Sequence, residues 1–82
     1  MKKTAVVILQ IVNASTKRVV EKDLEVPLDI AAERLIMAIA NAYHLGNSTT
    51  YLTCENPIAF IQGNNTLADY GVHDGSIVRY IC

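Results

Sequence analysis

The stretch Thr66-Leu67-Ala68-Asp69-Tyr70-Gly71-Val72-His73-Asp74-Gly75, followed by the apolar run from Ile77 to Cys82, decides how this chain folds. Thr66 is placed to cap a short helical turn, and Asp69, three residues on, to return its carboxylate to the cap's backbone amide, as in a capping box with a shorter acid. Gly71 supplies the positive φ that ends the turn. Asp74-Gly75 reads as turn chemistry, and the apolar run after it reads as a closing strand.

The whole chain has 82 residues, 51% of them apolar, and is read as one domain near the lower size limit for a self-sufficient core. Its formal charge is -1, and the cations Lys2, Lys3, Lys17, Arg18, Lys22, Arg34 and Arg79 are scattered. This argues against nucleic acid, which calls for a basic face, and against a membrane-surface patch. Lys2-Lys3 with the apolar residues after them have the outline of a signal peptide, but Gln10 interrupts the run, and the segment is read as a strand. No apolar run is long enough to span a bilayer. Cys54 and Cys82 are too few for a disulfide framework and lack the spacing of a metal site, so they are read as unpaired thiols of a cytoplasmic protein.

Periodicity organises the rest. From Thr4 to Val12, apolar side chains occupy both faces, as in a central strand. Asn13 to Lys17 is a polar connection. Arg18 to Val26 then alternates, with Val20, Leu24 and Val26 facing inward and Glu21, Asp23 and Glu25 forming an acidic outer face. Lys22 falls on the inward side, which places it near an edge with its ammonium in water. Pro27 stops the strand. Asp29 is the expected cap of a helix running to about Leu45 and ended by Gly46-Asn47. Leu28, Ala31, Ala32, Leu35, Ile36, Ile39, Ala42 and Tyr43 form its apolar stripe, opposite Asp29, Glu33, Met37, Ala40, Asn41 and His44. Two short apolar runs, Tyr51 to Cys54 and Ile58 to Ile61, flank Glu55-Asn56-Pro57, where the proline suits a turn or a strand start. The predicted order is strand, strand, helix, strand, strand, short turn, strand. This is an α+β arrangement with one amphipathic helix over one face of a mixed sheet, the first and last strands parallel neighbours joined by a right-handed crossover.

Thr66-Leu67-x-Asp69-Tyr70-x-Val72 before a terminal strand resembles the ubiquitin-like β-grasp fold. Leu24-Glu25-Val26-Pro27 running into Leu35-Ile36, together with Leu67 to Val78, is similar to the YukD/EsaB family of small ubiquitin-like proteins. That family accompanies the type VII (WXG100) secretion systems of Gram-positive bacteria. The resemblance implies a cytoplasmic protein-interaction module whose partner is a secretion-system component such as its membrane ATPase. Ubiquitin-type modifiers and sulfur carriers need a flexible Gly-Gly tail, whereas this sequence closes on Arg79-Tyr80-Ile81-Cys82, which speaks against conjugation. A sulfur carrier or modifier without those glycines is the alternative, and intact mass of the native protein separates the two.

Chemistry-bearing residues are sparse. His73, Asp74, Asp69 and His44 are the acid-base groups with local company, and they assemble no nucleophile, base and orienting group, so no enzyme activity is expected. Gly63-Asn64-Asn65 lacks the lysine of a phosphate loop. No cofactor and no metal are expected. The candidate surface is the sheet face opposite the helix. If Ala5, Val7, Leu9, Leu52, Cys54, Val78 and Tyr80 point inward, then Val6, Ile8, Tyr51, Thr53, Ile77, Arg79 and Ile81 point outward together. They form either a contiguous protein-contact patch or scattered surface aliphatics of high strand propensity.

Overall fold

The computed structural model describes residues 3–45, 49–56 and 58–82. Strands β1 (Thr4–Asn13) and β2 (Arg18–Pro27) form a hairpin, followed by helix α1 (Ala32–Ala42), strands β3 (Tyr51–Glu55) and β4 (Ala59–Gln62), a 3-10 turn (Ala68–Tyr70) and strand β5 (Ile77–Ile81). The sheet order is β2-β1-β5-β3-β4, so the two ends of the chain supply the two strands at its middle. β1 and β5 run parallel from Ile8 opposite Ile77 to Val12 opposite Ile81, and the other pairings are antiparallel. The mixed sheet with a parallel first and last strand is thus the one that the pattern predicts. β4 begins one residue later than expected, and the predicted turn at Pro57 and helix stop at Gly46-Asn47 fall outside the described residues.

One face of the sheet and the apolar side of α1 form the core. Val7, Leu9 and Ile11 of β1, Leu52 and Cys54 of β3, Ile61 of β4, and Val78 and Tyr80 of β5 are buried in one cluster with Leu35, Ile36 and Ile39, and Ala5 is buried on the same face of β1. Each fully buried large apolar side chain contributes roughly 1.5–3 kcal/mol. The strict alternation on β1 and β5 is what puts these side chains on one face.

The helix departs from its expected limits. Ala31, not Asp29, occupies the N-cap, and it makes no side-chain cap bond. None is needed there, because the amides of Ala32 and Glu33 donate to the carbonyls of Asn65 and Gly63 at 2.9 and 3.0 Å. The loop after β4 therefore caps the helix from a distance in sequence. At the other end α1 stops at Ala42, short of Leu45: His44 adopts the left-handed conformation, with φ of 56°, and Leu45 N–H closes on Ala40 C=O. Leu28 and Ala31 thus precede the helix. The stripe that begins at Ala32 is rotated relative to the expected one: Ala40, expected outside, is buried, and Ala42, expected inside, is exposed. Val20 lies on the helix side of β2 as predicted, yet it is 48% exposed, because the hairpin's distal half from Arg18 to Asp23 is uncovered.

The decisive motif forms as read. Thr66 Oγ1 accepts the Asp69 amide at 3.2 Å and the Asp69 carboxylate accepts the Thr66 amide at 2.9 Å, while Gly71 closes the turn at φ of 76°. Leu67 and Val72 are buried beneath it. Asp74 Oδ1 accepts the Val6 amide at 2.8 Å and Gly75 N–H donates to Val6 C=O, which extends the contact of β1 with the chain ahead of the first residue of β5. Gly75 reaches this position at φ of 88°.

Replacing Leu35, which is 4% exposed, by alanine is expected to cost about 2–5 kcal/mol in chemical denaturation. A loss below about 0.5 kcal/mol would mean that the helix is not seated on this core. Asp74→Ala should cost about 1 kcal/mol and speed hydrogen exchange at the Val6 amide, since that strand N–H loses its acceptor.

Candidate functional site

The face of the sheet opposite α1 is built by the strand residues that alternate with the core. Cross-strand register sorts them into rows. One row runs Glu21, Gln10, Arg79, Thr53, Phe60 from β2 to β4. On one side of it lie Val19, Val12, Ile81 and Tyr51, and on the other lie Asp23, Ile8, Ile77 and Glu55, with Val6 beyond.

The central row is polar and bonded from Glu21 to Arg79, and from Arg79 the bonding steps to Glu55 in the neighbouring row. Gln10 donates from Nε2 to Glu21 at 3.0 Å and accepts from Arg79 Nε at 2.8 Å, and Arg79 Nη1 meets Glu55 at 2.8 Å. The Arg79 guanidinium holds the Glu55 carboxyl below its ordinary range, first by the hydrogen bond and then by its charge. Glu55 in turn raises Arg79. This chain of contacts spans β2, β1, β5 and β3. All seven candidate residues stand on this face, with Val6 at 44%, Tyr51 and Ile81 at 40% exposure and Ile8, Thr53, Ile77 and Arg79 half-buried. They do not form a continuous apolar patch. Gln10 and Arg79 divide it into an aliphatic zone at Val6, Ile8 and Ile77 and a second zone around Ile81 and Tyr51.

The second zone includes residues that the sequence reading left out. Phe60 is 66% exposed, and its ring packs edge-on against Tyr51 at 5.7 Å. Val19 extends the same zone onto β2, where it is also exposed. Both were legible from alternation: Phe60 sits between the inward Ala59 and Ile61, and Val19 has the parity of Glu21.

Three of the four acid-base candidates are committed to backbone, and His44 is exposed just past the end of α1, away from them in the sequence. His73 Nδ1 lies 2.8 Å from the Asp74 carbonyl, Asp74 holds the Val6 amide, and Asp69 serves the capping box. Among the described residues, no group of three His, Cys, Asp or Glu could hold a metal ion, and no helix is long and apolar enough to cross a membrane. Cys54 is buried opposite Val78, and both cysteines are free. Ser76, fully buried, donates to Asn56 C=O at 2.8 Å and accepts the His73 amide at 3.0 Å, which pins the β3–β4 turn to the start of β5.

Burial, and secondarily the Glu55 charge, raise the Cys54 thiol above its ordinary range. A thiol raised in the folded state adds stability that is present below its unfolded pKa and is lost as pH rises through its folded pKa. The denaturation midpoint should therefore fall from neutral to alkaline pH, and Cys54→Val should reduce that fall. An identical slope in the variant would mean that the thiol is not the titrating group.

No family model and no curated protein sequence matches the chain. Solved structures do. The ubiquitin of Caldiarchaeum subterraneum is 23% identical, with 94% of this chain and 92% of that one covered at a TM-score of 0.65. Tubulin-binding cofactor B of Trypanosoma brucei is 11% identical, with 94% of each chain covered at 0.68. The C-terminal ubiquitin-like domain of mouse tubulin-specific chaperone e is 16% identical, with 99% and 90% covered at 0.60. At such identities the likeness speaks for the fold alone, and with the sheet order and helix placement above it establishes that this chain has the ubiquitin-like β-grasp fold.

Proposed function

We propose that this chain is a non-conjugated protein-interaction module that binds through its outer sheet face, as a cytoplasmic accessory of a Gram-positive type VII secretion system. The observation that carries the binding part is the pairing of two apolar zones with a fixed cation between them. Tyr51, Phe60 and Ile81 offer aromatic and aliphatic contact area, of the kind that dominates interface cores. Arg79, already held by Gln10 and Glu55, offers a charge at little further entropic cost. The structures it resembles include a ubiquitin, the ubiquitin-like domain of a tubulin-specific chaperone and a tubulin-binding cofactor, which fits a role in binding. The secretion assignment rests on the resemblance of Leu24 to Pro27, Leu35-Ile36 and Leu67 to Val78 to the YukD/EsaB family. A secretion-system component, such as its membrane ATPase, is the partner it implies.

The test uses residues whose replacement leaves the core alone. Ile8 stands directly opposite Asp23, so an aspartate there would measure repulsion within the sheet as much as binding. Ile81→Asp and Phe60→Asp lack that fault. Either should abolish recovery of secretion-system components in pull-downs from cells carrying the system, with an unchanged circular dichroism spectrum, because a charge trapped in an apolar contact is severely penalised. Glu33→Ala and Asn41→Ala, on the exposed side of α1, should leave recovery intact. Full recovery by both folded aspartate variants would remove the outer face from the reading.

A further inference from the structure

β2 is an edge strand, and it is unusually long for one. All ten of its residues pair with β1 on one side, while on the other side, among the described residues, no strand follows it in the sheet. Its outer amides and carbonyls are therefore a template for a further strand. Of the helix-facing side chains at this edge only Val26 is buried against the core, while Leu24 is half-buried and Lys22 and Val20 are exposed. Between β2 and α1 lies an open groove of about 210 Å³ lined by Leu24, Val26, Ile30, Leu35, Ile39 and Tyr43. A strand added to β2 would send every second side chain into this groove and the others onto the opposite face.

The charges around the groove select the occupant. Along the opposite face of β2, Glu21, Asp23 and Glu25 recur at every second residue. Glu21 and Glu25 accept bonds from Gln10 and Thr4, which leaves them anionic acceptors fixed in place. Lys22 marks one end of the groove, its ammonium 5.3 Å from the Tyr43 ring centroid. Groove-directed positions of the added strand thus meet apolar walls with a cation at one end, and the alternate positions meet carboxylates at the same period. A second copy of this chain does not satisfy that pattern. Two β2 strands related by a two-fold axis run antiparallel with like faces aligned, so Glu21, Asp23 and Glu25 would oppose one another.

We propose that the free edge of β2, with its groove against α1, binds an extended segment of another protein in which apolar side chains alternate with lysine or arginine. This surface is separate from the Tyr51, Phe60 and Ile81 zone, so the two can be tested apart.

The probe is a fluorescein-labelled peptide in which lysine and valine alternate over seven residues between serine-glycine ends. Fluorescence anisotropy should show saturable binding, weakened by about tenfold or more in a peptide of the same composition with the lysines and valines in separate blocks. A peptide with glutamate for lysine should not bind. Ala42→Arg, placed on an exposed position at the groove rim, should weaken binding by a similar factor with the circular dichroism spectrum unchanged. Asp23→Lys with Glu25→Lys should reverse the preference towards the glutamate peptide. Amide resonances of Glu21 to Val26 should shift on titration. Equal binding of the block peptide, indifference to both variants, shifts confined to the Tyr51, Arg79 and Phe60 region, or a concentration-dependent dimer formed through β2 would each overturn the proposal.

Discussion

The parallel pairing of β1 with β5 is the contact on which the rest of the molecule depends. It joins residues nearly seventy positions apart, such as Ile8 with Ile77, and it places both strands in the middle of the sheet, where each is flanked on both sides. Parallel ladders carry no turn to set their register. Here it is set from outside the strands: Asp74 and Gly75 grip Val6, Ser76 C=O accepts the Ile8 amide, and Cys82 N–H donates to Val12 C=O. Buried Val78 and Tyr80 then face the helix. Such non-local closure makes early folding costly in loop entropy. Slipping by one residue would expose the whole inner set.

A second junction holds the helix to that sheet. Ala32 and Glu33 donate to Asn65 and Gly63, Leu67 donates to Ile30, and Ala68 donates to Leu28, so the entry to α1 and the approach to the 3-10 turn are laced together by backbone alone. Tyr70 adds to it, with its hydroxyl donating to Gln62 C=O and accepting the Gln62 amide at the end of edge strand β4. β4 is thereby tied down at its tip. Among the described residues no strand or turn from beyond the hairpin is hydrogen-bonded to the outer edge of β2, and this asymmetry leaves its edge and the adjoining groove open to a partner strand.

Much of the candidate surface could be read from alternation. The seven outward residues come from strict period-two patterns on β1, β3 and β5, and the same arithmetic reaches Phe60 and Val19. What alternation cannot convey is adjacency between strands. Gln10, Arg79 and Glu55 lie far apart in sequence, and their bonded row becomes visible only when register sets β1 beside β5 and β5 beside β3. A patch that is apolar by composition is cut in two by that row.

The sequence by itself determined the element order, the inward set on the central strands and the Thr66–Asp69 capping box, because each depends on local periodicity or on bonds spanning three residues, and the parallel closure followed from that order through the right-handed crossover. Tertiary structure decided where the helix begins and how its stripe is rotated. Asp29 offers a good local cap, but the carbonyls of Gly63 and Asn65 already satisfy the first helical amides. That removes the need for a side-chain cap and starts the helix at Ala32, carrying Ala40 into the core and Ala42 out of it. A backbone donor is indifferent to whether its acceptor lies three residues away or thirty, so a distant partner can overrule a local signal that sequence alone makes persuasive.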